Sequence, residues 1–208
     1  MEREQEQDFE SAPGAEVVIR LQSRHILLRP VRSQDYEALR LLEFEGDLVP
    51  LWRHHGATPG PEQWAQALWN SVLAQFLVVS TTSTQPLGLV TAYNPDFRNG
   101  FVSLAAAKFE GRRHPSPVFI EGVALFIDYI FTSWNFRKLY IESGELNVPQ
   151  FGSGIGWLIE EEGRLRQHRY FGGRFWDEYI MSIYREKWDE FAPKIREFLH
   201  GPGPSTTS

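Results

Sequence analysis

The stretch "GRRHPSPVFIEG", Gly111 to Gly122, sets two arginines and a histidine between an alternating apolar segment and a long apolar, helix-like one. Arg112, Arg113 and His114 at such a strand-to-helix junction are placed to hold an anion, because a helix start offers free N–H groups and a positive dipole end. Phosphate-cradling turns are usually rich in glycine, so that the backbone can approach the ligand. Here Pro115, Ser116 and Pro117 stand in the turn, and proline has no N–H to give. Ser116 and Val118 keep theirs. Other chemistries are thinner. His54 and His55 are adjacent and have no carboxylate cluster beside them, so no metal site is expected. With no cysteine in the chain, thiol nucleophiles, disulfides and Cys-based metal centres are excluded.

The elements that must position this loop belong to a globular chain. It has 208 residues, of which 42 % are apolar and 23 % charged, enough for one domain with a sizeable core. Residues 1–16 are expected to form a mobile arm, 17–200 a single domain and 201–208 a disordered tail. A net charge of −6 argues against nucleic acid as a general partner. The N-terminal "MEREQEQDFESAPGAE" has no apolar signal region, and the longest apolar stretch, Pro117 to Trp134, carries Glu121 and Asp128. Neither suits a membrane, and a cytoplasmic protein is expected.

The first strand is expected at "HILLRPV", and Ser33 then caps the helix "QDYEALRLLEF". Pro61 opens a second helix, "EQWAQALWNSVLAQ". The segments "FLVVSTT" and "PLGLVTAYN" read as a hairpin, and Asn99-Gly100 turns the chain into the strand "FVSLAAAKF". In the long helix Phe119, Val123, Phe126, Ile127, Ile130 and Trp134 share one face. "RKLYIESG" reads as a buried strand, and "NVPQFGSGIGW" as a short helix or irregular turn. A hairpin about Gly172-Gly173 and the closing "KWDEFAPKIREFL" follow. The order β-α-α-β-β-β-α-β-α-β-β gives a mixed sheet with helices on both faces, an α/β (α+β mixed) class.

That order, with "LLRPVRSQDYEAL", "LGLVTAYNPDFRNGFVSL", "FRKLYIESGELN" and "EEGRLRQHRYFGGRFWDEYIMSIYREKW", resembles the GNAT superfamily of acyl-CoA N-acyltransferases. The similarity is to the branch acting on ribosomal-protein N-termini and small amines, and it covers about residues 25 to 190. It implies a mostly antiparallel sheet with a V-shaped splay. It also implies acetyl-CoA or another acyl-CoA as donor, a primary amine of a small molecule or peptide as acceptor, and no metal. Pantetheine would run along the strand at Ala107 and Phe109. The phosphates would meet Arg112, Arg113, His114, Ser116 and Val118, and Glu121 falls where the family often has a glutamate in the first helical turn.

Several positions depart from the family pattern. Pro115, Pro117 and Phe119 stand at the loop glycines, and Gly154 stands where a tyrosine often protonates the departing thiolate. Ser103 takes a strand place where relatives often carry glutamate. Asn147 matches the asparagine after the fifth strand, and Glu142, Asn147 and Asp177 make up the expected catalytic set. Glu145 and His168 are further candidates for moving protons. Each has a plain alternative: solvent for Glu142 and Glu145, a cross-strand contact for His168, orientation of the hairpin for Asp177. Trp52, Tyr93 and Ser103 are assigned to the acceptor cleft, with core packing the alternative for the two aromatics. Two further readings stand beside the enzyme. One is a catalytically silent GNAT fold that binds a ligand or partner. The other is an acyltransferase fed by an acyl-carrier protein, whose acidic surface would meet Arg112 and Arg113. A homodimer is open as well.

Overall fold

The computed structural model describes residues 21–44, 53–54, 56–109, 116–152 and 154–201. The expected N-terminal arm, Trp52, His55, Arg112, Arg113, His114, Pro115 and Ser153 lie outside these residues.

The strands are β1 (Ile26–Pro30), β2 (Val72–Ser80), β3 (Pro86–Asp96), β4 (Phe101–Lys108), β5 (Lys138–Gly144), β6 (Glu160–Phe171) and β7 (Arg174–Tyr184). The helices are α1 (Tyr36–Phe44), α2 (Pro61–Trp69), α3 (Pro117–Ser133) and α4 (Arg185–His200). All seven strands form one sheet in the order β1-β2-β3-β4-β5-β7-β6. Every neighbouring pair is antiparallel except β4 with β5.

Alternation along the strands supplies two apolar faces. Ile26, Leu28, Phe76, Val78, Val90 and Ala92 meet α3 and α4 through Phe126, Ile127, Ile130, Phe131 and Trp188. Leu77, Val79 and Leu89 on the opposite face meet Leu39 of α1 with Trp64 and Leu68 of α2. Fully burying one such side chain stabilises the fold by about 1.5–3 kcal/mol. At Gly122, α3 lies so close to β2 that an added Cβ would stand 2.4 Å from Val78 Cγ1. Among the described residues, the second cluster takes none from β5, β6 or β7. On the α1–α2 side, no described helix packs on that half of the sheet.

Three local expectations change. Ser33 does not cap α1: it opens a 3-10 turn, Ser33–Asp35, and Asp35 accepts the Arg32 N–H at 2.8 Å. The second helix stops at Trp69 instead of running to Gln75. Asn70 is extended, Ser71 has φ +55°, and the residues from Val72 pair with β3 instead. After β5 the chain forms a short 3-10 helix, Glu145–Phe151, and then a series of turns, in line with the expected short helix or irregular turn. Glu121 is the fifth residue of α3, just past its first turn. The Gly172-Gly173 hairpin forms as expected, with φ +59° and +81°.

Candidate functional site

β4 and β5 pair through three rungs: Phe101 with Lys138, Val102 with Leu139, and Ser103 with Tyr140. Beyond Ser103 the two strands run on unpaired to Lys108 and Gly144, and a V opens between them. A Cβ on Gly144 would meet no atom within 4 Å. The β4 edge from Leu104 to Lys108 thus borders a gap, and strand edges carry N–H and C=O groups suited to an extended ligand.

At the apex one rung crosses four strands: Tyr93 lies opposite Ser103, Ser103 opposite Tyr140, and Tyr140 opposite Ser182. Tyr93 is half-buried and Ser103 buried. Burial raises the Tyr93 phenol above its ordinary value, and the nearby Glu142 and Glu178 carboxylates add to this while Arg169 opposes it. The phenol therefore stays protonated. Glu142, exposed, lies opposite Ile180, and Glu178 lies opposite Gly144, so alternation puts both carboxylates on the α1–α2 side of the sheet. Glu178 is only 3 % exposed. Arg169 donates to it through Nε at 2.7 Å and also through Nη2, and His168 Nε2 stands 3.3 Å from its other oxygen. Below the apex, Lys138 Nζ bonds both oxygens of Glu162 at 2.8 Å, and the Tyr184 hydroxyl donates to the same carboxylate at 2.7 Å.

Asp177 is not gathered with Glu142. It shares the parity of Met181 and Ile183, which pack against α3 and α4. Its Oδ1 accepts the Gln167 N–H at 2.7 Å and its Oδ2 the Arg164 Nε–H at 2.6 Å. These bonds hold the Asp177 carboxyl below its usual range. Glu178 and Arg169 went unnoticed in the sequence, although a signal existed. With Met181 and Ile183 facing the helices, strand parity sends Asp177 with them and Glu178 to the other side.

On the α1–α2 side, Arg53 donates to the Ala67 and Leu68 carbonyls at 3.2 and 2.9 Å and to Gln75 Oε1 at 3.1 Å. Desolvation lowers the Arg53 guanidinium from its ordinary value, while Glu43 and Tyr93 work the other way. Buried Glu43 accepts the Trp64 indole N–H at 2.7 Å, with Arg53 and His54 at 3.6 and 3.4 Å. Arg53 is thus tied to the end of α2 and to β2, and both Arg53 and His54 lie close to Glu43 of α1. No group of three or more His, Asp or Glu side chains converges as metal ligands among the described residues.

On the donor side, Ser116 is the N-cap of α3, and its hydroxyl accepts the Phe119 N–H at 3.4 Å. Pro117 sits at the first helical position, where the missing N–H would have been unpaired in any case. The Ile120 N–H bonds the Ser116 carbonyl at 2.9 Å, so Val118 is the first-turn amide outside the cap. Deeper in α3, buried Glu121 accepts the Ser23 hydroxyl at 2.5 Å and the His25 backbone N–H at 3.3 Å, and its second oxygen lies 3.0 Å from His25 Nδ1. Glu121 thus ties α3 to the start of β1 instead of facing the V. Ala107 is buried, and the Phe109 N–H bonds the Leu87 carbonyl at 3.0 Å while its ring joins the α1–α2 cluster. Asn147 lies in the 3-10 helix after β5, where its side-chain oxygen accepts from Gln150 at 3.4 Å. Glu145 is an exposed residue of the same helix. Gly154 closes a turn: its N–H bonds the Phe151 carbonyl at 2.8 Å, and a Cβ there would stand 2.9 Å from Ile159 Cδ1.

No family model matches the sequence, and no curated protein matches it. Solved structures do match the fold. The spermidine N-acetyltransferase from Vibrio cholerae, in complex with CoA and spermine, aligns with a TM-score of 0.64 at 20 % identity. That alignment covers 78 % of this chain and 97 % of the other. A probable acetyltransferase of the GNAT family from Chromobacterium violaceum aligns with a TM-score of 0.61 at 17 % identity, over 91 % of this chain and 98 % of the other. The mixed seven-stranded sheet, split between β4 and β5 and carrying helices on both faces, is the fold of the GNAT acetyltransferases.

Proposed function

We propose that this chain is an N-acyltransferase that moves an acetyl or other acyl group from acyl-CoA to a primary amine of a small molecule or peptide. The observation that carries the reading is the V beside Ser103: an unpaired β4 edge on one side and polar side chains of the α1–α2 face at its apex. The pantetheine arm lies against Leu104 to Lys108 and completes the edge by backbone hydrogen bonds. Its phosphates meet the Ser116-capped start of α3, with Arg112, Arg113 and His114 supplying charge in place of loop amides. The amine enters on the face of Tyr93, Ser103 and Glu142, where the Glu142 carboxylate holds the ammonium. Holding amine and thioester together supplies much of the rate, so a modest acid–base apparatus is sufficient. The structural neighbour bound to CoA and spermine supports a small amine as acceptor class.

A silent fold is the second reading, favoured by the closed turn at Gly154, which leaves no phenol at that place. Titration calorimetry with acetyl-CoA, followed by turnover with a panel of primary amines, separates the two. Saturable binding with amine-dependent release of CoA is expected. Absence of binding overturns the enzyme reading, and binding without turnover on any amine favours the silent fold.

A further inference from the structure

The β6–β7 hairpin contains an irregularity that the proposed reaction has not yet used. Leu165 lies opposite Glu178 and Arg169 opposite Trp176, so β6 spends four residues where β7 spends two. Gln167, within this wide bulge, has φ +50° without being glycine. Such a conformation is uncommon for a glutamine and persists where its surroundings hold it. The Asp177 carboxylate holds it here by accepting the Gln167 N–H at 2.7 Å while Arg164 clamps the other oxygen.

The consequence falls on the next two residues. In a regular strand His168 and Arg169 would point to opposite faces. The bulge turns both toward Glu178: Arg169 bonds one carboxylate oxygen, and His168 Nε2 stands 3.3 Å from the other. Bulges that re-aim side chains recur beside active sites. Glu178 lies opposite Gly144, at the far end of the run of β5 that does not pair with β4, and the charges of Glu178 and Arg169 both act on Tyr93 at the apex. The buried carboxylate is thus already paired with Arg169, whereas the imidazole side chain is 52 % exposed.

Resting on the acyltransferase reading above, we infer that His168 is the base that takes the proton from the acceptor ammonium. Glu178 orients its ring, and Asp177 is a positioning residue that acts through the bulge. With Nε2–H directed at Glu178, the Nδ1 lone pair accepts one proton from the ammonium and the imidazolium later returns it to solvent. The freed amine attacks the acyl carbonyl, the C–N bond forms and the C–S bond breaks. The second amine proton goes with the leaving thiolate. An imidazole fixed in one tautomer by a carboxylate suits this task.

The test uses the full chain and two readouts. Nitrogen NMR of the imidazoles is expected to show His168 locked as the Nε2–H tautomer in the native protein and exchanging between tautomers in Asp177→Ala. With acetyl-CoA and a responsive amine, His168→Ala is expected to lower kcat by about 10²–10³ with little change in KM. Added imidazole should partly restore turnover, because the half-exposed site admits it. His168→Ala turning over within about threefold of the native rate overturns the inference, as does loss of turnover with no imidazole rescue. A locked tautomer in a protein that binds acetyl-CoA yet acylates no amine sinks the acyltransferase reading and the base role with it. Turnover with a freely exchanging His168 sinks the base role alone.

Discussion

Ser103 and Tyr140 face each other across the last rung that joins β4 to β5, and on the other side Ser103 faces Tyr93. Ser103 offers only a hydroxyl at this place, and in the proposed reaction charge recognition at the apex falls to Glu142. Glu142→Gln is expected to raise KM for the amine about tenfold, the loss of a hydrogen-bonded charge worth about 1.4 kcal/mol, with kcat nearly unchanged. Steady-state kinetics distinguish this from His168→Ala, which acts on kcat. A fall in kcat alone for Glu142→Gln would reverse the two assignments.

The helix start offers a second check. Ser116→Ala removes the N-cap of α3 and is expected to destabilise the fold by about 1 kcal/mol in urea titrations. Alanine at both Arg112 and Arg113 is expected to leave stability unaltered and weaken acetyl-CoA binding by about 1–3 kcal/mol, read by calorimetry. Undiminished affinity in that double variant would remove the arginines from the donor site.

Stability should fall in acid through Glu162. Burial works against its charge, but the Lys138 and Tyr184 hydrogen bonds prevail and bring its pKa to about 2 from an ordinary 4.5. A carboxyl with a lowered folded-state value stabilises fully above its unfolded pKa, and that contribution disappears as pH drops from 4.5 toward 2. Because the side chain is 24 % exposed, solvent screening limits the effect to about 1–2 kcal/mol. Glu162→Gln should flatten this part of the pH–stability curve, and an unchanged slope would assign acid sensitivity elsewhere.

Two glycines mark tight contacts. A Cβ at Gly88 would stand 2.4 Å from the Ala107 carbonyl oxygen, and one at Gly122 2.4 Å from Val78 Cγ1. Alanine at either place should cost about 1–3 kcal/mol by thermal or urea unfolding. Gly88→Ala should be the worse, because a backbone oxygen cannot rotate away as a valine methyl can.

Much of this arrangement was legible in the residue order. The helical spacing of Phe126, Ile127 and Ile130 marked α3, and Gly172-Gly173 marked the last hairpin. The start of β2 was not, because "SVLAQ" satisfies a helical period equally well and only pairing with β3 makes it a strand. At the site, Tyr93 and Ser103 were expected beside the acceptor and stand on one rung. Glu178 was hidden behind its neighbour Asp177, because parity is visible only once a strand's buried face is fixed. The bulge left no mark at all. Its left-handed residue is Gln167, held by a carboxylate ten positions away, and no glycine announces it.

The short seam between β4 and β5 has a mechanical meaning. Three rungs join a four-stranded raft carrying β1 to β4 to a three-stranded one carrying β5, β7 and β6. On the proposed reading, a pantetheine arm laid in the gap would act as an added strand and splice the rafts together. Rigidity in the loaded protein would then come in part from the cargo. Amide hydrogens at the free edge of β4 should therefore exchange far more slowly with acetyl-CoA bound than without it.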